Sequence, residues 1–269
     1  MSSRPEVLFP LFASLETLPG VGPKIAAQLA GLDVATPRDL LFTLPTSGID
    51  RRFRPTLKGV PLPATVTTDV LIGRHVPARA KGRPYRIEVE DAELPFSLVY
   101  FHANPAWVTR TFPEGERRLV SGKAELFDSL VQMVHPDYVE TVDDIGKIPE
   151  FEAVYPLTKG IALKKMAQAV GGAVARAPRL AEWIDPALKA REGWPDWHDA
   201  VTSAHAPKTS ADIASTARDR QRLAYDELLA HQIMLAMLRA QRRGRTGRPS
   251  VATGRLQAKV RAALPYEPT

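Results

Sequence analysis

Apolar and polar positions divide the 269-residue chain into three textures. In the first, leucines at Leu15, Leu18, Leu29, Leu32, Leu40 and Leu41 flank Gly20-Val21-Gly22-Pro23. That spacing predicts a helical run from Lys24 to Leu29 and a second amphipathic turn of helix over Leu32 to Leu41, folded around a glycine hairpin. In the second texture β-branched and aromatic residues take over. Thr65 to Ile72, Arg86 to Glu90, Phe96 to Phe101, Arg118 to Leu126 and Leu130 to Val134 read as strands, and a short helix covers Asn104 to Phe112 with Asn104 as N-cap and Pro105 at its first position. From Ile161 the period becomes helical, over 162–174, 181–184, 194–201, 217–239 and 256–264. Within 217–239 the residues Tyr225, Leu228, Leu229, Gln232, Leu235, Ala236 and Arg239 share one face, which predicts a core contact with the preceding helices.

Three strands, a helix and two strands within about 75 residues is the order of an OB-fold, a five-stranded barrel whose strand face and hairpin loops bind oligonucleotides. The expected class is therefore α+β and multidomain: an N-terminal helical unit with the glycine hairpin over 1–55, the OB-fold barrel over 56–140, a helical region over 141–242 and a final segment, 243–269. Leu44-Pro45 and the basic run Arg51-Arg52-Phe53-Arg54-Pro55 read as the linker into the barrel, and the closing Leu264-Pro265-Tyr266-Glu267-Pro268-Thr269 as the entry to another fold.

Charge changes the picture more than composition does. The net charge is +6 and the pI about 9.6, but the excess is local: Arg74, Arg79, Lys81, Arg83 and Arg86 follow one another with no acid between, in the hairpin loop between the first two barrel strands. Such runs are commonly solvated loops; beside an anion site they favour a polyanion partner. The glycine hairpin offers that site. Gly20 and Gly22 let the backbone approach a ligand, Pro23 presets the first helical turn, and the amides and Lys24 face outward at a helix start, an arrangement that holds a phosphate without reading a base. The bland alternative is a turn with no ligand.

Other chemistries are thinly represented. Cysteine is absent, which removes disulfides and thiolate ligands, and the six histidines lie too far apart for a local metal site, so no catalytic residue and no metal ligand is assigned. No signal segment or membrane span is legible. Gly122-Lys123 lacks the upstream glycine of a phosphate loop, so ATP hydrolysis is not expected of this segment. No nucleotidyl lysine motif of a ligase or synthetase signature is visible.

Leu15-Glu16-Thr17-Leu18-Pro19-Gly20-Val21-Gly22-Pro23-Lys24 followed by Asp39-Leu40-Leu41-Phe42-Thr43-Leu44-Pro45, then Val154-Tyr155-Pro156-Leu157-Thr158-Lys159-Gly160, Asp226-Glu227-Leu228-Leu229-Ala230-His231-Gln232 and the closing Leu264 to Thr269, resemble in order the opening of the RecG family of bacterial ATP-dependent DNA helicases. The resemblance implies that the barrel is a wedge inserted at branched DNA such as stalled forks and Holliday junctions. It also implies that ATP and Mg serve C-terminal motor domains of a longer cytoplasmic, nucleoid-associated protein, with no cofactor in this segment. Aromatic side chains after the third barrel strand would stack on bases where duplex arms part; in Tyr100-Phe101-His102-Ala103-Asn104-Pro105-Ala106-Trp107 the candidates are Phe101 and Trp107, the latter also a plausible anchor of the short helix. Phosphate contacts would come from Arg74, Arg79, Lys81 and Arg83 in the hairpin loop and from Arg117, Arg118 and Lys123 near the fourth strand. A free-standing OB-fold that binds single strands or serves as a repair adaptor is the competing reading.

Overall fold

In a computed structural model, which describes residues 4–78, 80, 82–243 and 253–267, the chain opens with tight turns over Glu6–Phe12 and Leu15–Thr17, then helices α1 (Pro23–Ala30) and α2 (Pro37–Phe42). Proline occupies the first turn of both helices. The Asp39 carboxylate fixes the start of α2, accepting the Thr36 amide at 2.9 Å and the Ala35 amide at 3.0 Å. The helix is shorter than the run read from sequence because Asp33 takes a positive φ of 58° and interrupts it. The apolar stripe of this segment is buried, with Leu29, Leu40 and Leu41 fully covered.

The barrel follows. Strands β2 (Ala64–Val76), β3 (Tyr85–Glu90), β4 (Pro95–Tyr100), β5 (Arg117–Phe127) and β6 (Leu130–Val134) bond in the order β2-β3-β4-β6-β5, and pairing of β2 with β5 closes the ring. β4 and β6 run parallel and every other pair antiparallel. Helix α3 (Pro105–Thr111) lies between β4 and β5, and the Asn104 side chain accepts the Ala106 amide at 2.9 Å as its N-cap. Strand alternation fills the interior with Val66, Val70, Ile87, Leu98, Val120 and Met133, which α3 closes with Val108 and Phe112. The five strands and the helix agree with the elements read from sequence to within a few residues at each end.

Three strands were not legible in the sequence. β1 (Ser47–Asp50) pairs antiparallel with β8 (Phe151–Val154), and β7 (Tyr138–Glu140) adds to the outer edge of β5. The β1–β8 ladder sits where the chain enters and leaves the barrel, and Arg51, read as part of a linker, is only 3% exposed there. The linker expectation is corrected at this residue: its guanidinium has acceptors on three sides.

Behind the barrel come α4 (Leu163–Val174), α5 (Pro186–Glu192) and α6 (Trp197–His205). Met166, Ala169, Val170 and Ala173 of α4 and Trp197, Ala200, Val201 and Ala204 of α6 share one core with Leu15, Leu18, Leu29, Leu40 and Leu41, so helices from both sides of the barrel sequence form a single frame. Residues 181–184 are not helical as expected. Glu182 accepts the Trp183 and Ile184 amides at 2.8 and 3.2 Å and binds Arg222 at 2.9 Å, which satisfies those amides outside a helix. The helix expected from Trp194 begins at Trp197, since Pro195 turns the preceding residue away from helical angles.

The described residues form two compact units, one up to Leu223 and one from Ala224 onward. The long helix α7 (Arg218–Arg243) starts in the first unit, where Arg222 and Leu223 are buried, and a last helix α8 (Arg255–Ala263) follows. The face of α7 expected to be core is only partly covered: Tyr225, Leu229 and Leu235 are half-buried, whereas Leu228 is 64% exposed and Gln232, Ala236 and Arg239 are exposed as well. Periodicity specifies an apolar face and says nothing of what covers it.

Candidate nucleic-acid interface

Strand register gathers the candidate residues. Tyr85 at the start of β3 stands opposite Tyr100 at the end of β4, and Val134 at the end of β6 lies parallel beside Val99. The β2–β3 loop, the segment after Tyr100 and the turn after β6 therefore meet at one end of this part of the barrel. His135, with a positive φ of 47°, donates its amide to the Val99 carbonyl at 2.9 Å and accepts the Phe101 amide on Nε2 at 3.1 Å. The Phe101 ring lies 6.0 Å from that imidazole and is 43% exposed. Trp107 packs its edge on Tyr100 at 5.5 Å and on Phe112 at 6.3 Å yet keeps 38% of its surface open. Anchoring of α3 and presentation of a free ring are compatible in this one side chain.

Between the two loops is a pocket of about 230 Å³ whose lining includes Pro77, Arg83, Tyr85, Tyr100, His102 and Pro105. The Tyr85 hydroxyl is engaged by His75 Nδ1 at 2.9 Å, and the other ring nitrogen of His75 meets the Phe112 carbonyl at 2.8 Å, which fixes the wall. Tyr100 is 5% exposed and burial pushes its phenol above the ordinary range.

The candidate cations differ in availability. Arg83 and Lys123 are exposed. Arg74, although exposed, pairs with Glu88 at 2.6 Å. Arg117 binds Asp69 at 2.8 Å, and Arg118 is held by Glu116 at 2.7 Å and by the Thr111 and Arg117 carbonyls at 3.1 and 2.9 Å. Arg79 and Lys81 lie outside the described residues. The structure brings Arg83 to the aromatic cluster, whereas Lys123 stands in register with Thr65, on the strand pair β2–β5.

The glycine hairpin belongs to the helical frame. Gly20 has a φ of +75°, and a Cβ there would come within 2.5 Å of the Gln168 side chain on α4, so this glycine answers to packing. At Gly22, the N-cap of α1, nothing lies within 4 Å of a Cβ, and Lys24 is exposed. Open amides and an adjacent cation are therefore present at this helix start.

Sequence reasoning missed two positions. His135, which braces Phe101, follows β6 with no local signal; only the parallel β4–β6 pairing brings it there. Arg51 is the other. Its Nε meets Glu152 at 2.7 Å, Nη1 donates to Ser121 at 3.0 Å and Nη2 to Asp137 at 2.8 Å. Glu152 also accepts the Tyr138 hydroxyl at 2.7 Å, and Lys164 of α4 lies 3.6 Å from the Tyr138 ring centre. Barrel and β1–β8 ladder meet at this one guanidinium, and Lys164 brings the frame against the adjoining Tyr138. Among the described residues no cluster of histidines and carboxylates could hold a metal ion, and no helix is long and apolar enough to cross a membrane.

A closed barrel of this strand order, joined to a helical frame beside a buried ion pair, defines an OB-fold protein with helices on either side of the barrel sequence. No protein-family model matches the chain. It is 28% identical over 268 residues to the ATP-dependent DNA helicase RecG of Escherichia coli O127:H6, an alignment covering 95% of this chain and 38% of that protein. It is 25% identical to RecG of Thermotoga maritima, covering 96% of this chain and 33% of that one. The solved structure of RecG bound to a three-way DNA junction superposes with a TM-score of 0.69 at 22% identity, over 100% of this chain and 36% of that one. The chain is similar over nearly its whole length to the N-terminal portion of these RecG proteins and spans little more than a third of their length.

Proposed function

We propose that this chain is the DNA-binding wedge portion of a RecG-like ATP-dependent helicase, which binds forks and Holliday junctions and parts duplex arms during fork regression and branch migration. The observation that carries the reading is the meeting of a basic hairpin loop with exposed aromatic rings at one end of an OB barrel: Arg83 lines the same pocket as Tyr100, beside Phe101 and Trp107. The wedge is 56–140, and the helical segments 1–55 and 141–242 hold it. Phe101 and Trp107 stack on the first unpaired bases; Arg83, Lys123, Arg74, Arg117 and Arg118, and the Gly20-Gly22-Lys24 turn on another duplex arm, take phosphates. The last three arginines must first exchange a carboxylate for a phosphate.

Magnitudes divide the labour. Opening a base-pair step costs about 1.4 kcal/mol of stacking, and a base on an aromatic ring regains roughly 1–3 kcal/mol. One or two rings hold an opened junction, but they must release it again at each step, so translocation requires work from elsewhere. This chain has no phosphate loop for ATP and Mg; in the proposal these serve motor domains of the longer protein, acting in the bacterial cytoplasm at the nucleoid. A free-standing single-strand binder makes the opposite prediction, namely that branching adds nothing. Titration of the chain against a three-way junction, a fork, a linear duplex and a single strand at two salt concentrations tests the reading. Tighter binding to the branched DNAs supports it, and equal affinity for duplex and junction overturns it.

A further inference from the structure

Exposed aromatic rings occur a second time, in the helical frame rather than the barrel. Phe9 is 47% exposed and Phe42 is 52% exposed, both more open than Phe101. Phe9 belongs to the 3-10 turn Glu6–Phe12, in which residues three apart eclipse, so Glu6, Phe9 and Phe12 form one row. Arg38, the second residue of α2, continues it: its guanidinium carbon lies 5.9 Å from the centre of the Phe12 ring and 5.8 Å from that of Phe42. Arg4 lies over the half-buried Phe12 at 3.3 Å. The core of this segment is made by Leu11, Leu40 and Leu41, and it leaves Phe9 and Phe42 open. Arg38 is exposed and forms no ion pair among the described residues, and the carboxylate next to it, that of Asp39, is occupied by the Ala35 and Thr36 amides. Rings interleaved with arginine suit single-stranded nucleic acid, since any base has a face to stack and a guanidinium between rings meets the phosphate that links two bases. A duplex keeps its base faces inside and has no use for such rings.

We infer that Phe9, Arg38 and Phe42 form a second DNA contact, on the frame, which takes a single strand: bases stack on the two open rings and Arg38 holds a phosphate between them. The inference starts from the branched-DNA reading, because a wedge that parts duplex arms releases single strand, and goes beyond it by giving that strand a holder outside the barrel. Glu6 closes the row at its far end.

The 269-residue chain tests this by titration against oligothymidylate, a three-way junction made wholly of duplex, and linear duplex, as wild type and as Phe42→Ala, Arg38→Ala and Arg38→Lys. Phe42→Ala should weaken oligothymidylate binding about five- to hundredfold, the range for one stacked base, and leave junction affinity and melting temperature unchanged. Arg38→Ala should lower the slope of log affinity against log salt for the single strand by about 0.7, and Arg38→Lys should restore that slope, which a structural role for the side chain would not do. Oligothymidylate affinity unchanged in both alanine variants overturns the inference. Equal losses on oligothymidylate and junction in Phe42→Ala overturn it as well, and so does complete loss of oligothymidylate binding in Phe101→Ala, which would assign the single strand to the barrel alone. In each of these cases a preference for junction over linear duplex leaves the branched-DNA reading standing. Oligothymidylate binding that depends on Phe42, with junction and linear duplex bound alike, supports the row on the frame and overturns the branched-DNA reading instead.

Discussion

Arg51 and Glu152 stand 101 positions apart in sequence and 2.7 Å apart in space, with side-chain exposures of 2% and 9%. One follows the strand that enters the barrel and the other lies on the strand that leaves it. A buried ion pair of this kind contributes little net stability against an apolar substitute, but removing one partner leaves a buried charge uncompensated. Arg51→Met should therefore lower unfolding stability by about 3–5 kcal/mol, and Arg51→Met combined with Glu152→Leu should recover most of that loss. Urea denaturation of the two variants checks this; a single variant within about 1 kcal/mol of wild type would show that Glu152 tolerates the loss of its cation.

The glycine hairpin separates packing from ligand binding within three residues. Gly20→Ala adds a Cβ at positive φ against Gln168, so a loss of roughly 1–2 kcal/mol for the left-handed backbone is expected even where Gln168 swings aside. Gly22→Ala meets nothing within 4 Å, and its φ of −96° is ordinary, so thermal melting should hardly change. If the turn seats a phosphate, Gly22→Ala and Lys24→Ala weaken junction binding in a fold of unchanged stability. Full affinity in both variants would assign the hairpin to packing alone.

Acid should loosen the frame in two stages. Tyr155 donates its hydroxyl toward His205 Nδ1 at 3.2 Å, and Nε2 of the same ring meets the Leu41 carbonyl at 3.0 Å. Burial lowers the His205 pKa, against the carbonyl that raises it, and nearby Arg220 lowers it further. A histidine held neutral in the fold gives its full contribution above the unfolded value of about 6.5 and loses it as pH falls below that value, at no more than about 1.4 kcal/mol per pH unit. Glu182 acts lower down. Burial alone would raise its pKa, but hydrogen bonds from Arg222 and from the Ile184 and Trp183 amides bring it down to about 2. Its contribution is complete above the unfolded value near 4.5 and fades from there toward pH 2. Melting temperatures between pH 8 and pH 4 should fall from near neutrality, and His205→Gln should flatten the upper part of the curve. An unchanged profile in that variant would mean that His205 can charge without cost.

Legibility in the sequence followed the range of the interaction. Barrel strands β2 to β6 and the cap of α3 are written in residues at most a few positions apart, in the alternation of Arg86 to Glu90 and in Asn104-Pro105, and their order alone predicts the closure of the ring. Strands β1 and β8 were invisible because Ser47-Gly48-Ile49-Asp50 has weak strand propensity and acquires its pairing from Phe151 to Val154 about a hundred residues away. Arg51 read as a linker residue for the same reason, its acceptors Ser121, Asp137 and Glu152 all being distant in sequence. In the candidate site, Phe101 and Trp107 were found through a family resemblance and Arg83 through charge spacing. The pairing of Arg117 with Asp69 and the brace of His135 under Phe101 needed strand register.

Salt and ring removal separate the electrostatic from the stacking part of DNA binding. Each phosphate contact that displaces a counterion adds about 0.9 to the slope of log affinity against log salt on duplex arms. Arg83→Ala and Lys123→Ala should each lower that slope by about this amount and weaken fork and duplex binding together, because both cations are exposed and the proposed role of each is a phosphate contact that ignores sequence. Arg118→Ala should instead cost stability, since its guanidinium is spent on Glu116 and on the Thr111 and Arg117 carbonyls. Phe101→Ala makes the complementary change. With 43% of its surface open and the His135 hydrogen bond made by its amide, the ring can leave without breaking that bond. Fork affinity should fall by roughly 1–3 kcal/mol, the range for one stacked base, while duplex affinity and the salt slope stay as they were. Equal losses on fork and duplex would make Phe101 a structural residue and move the stacking role to Trp107, which keeps 38% of its surface open.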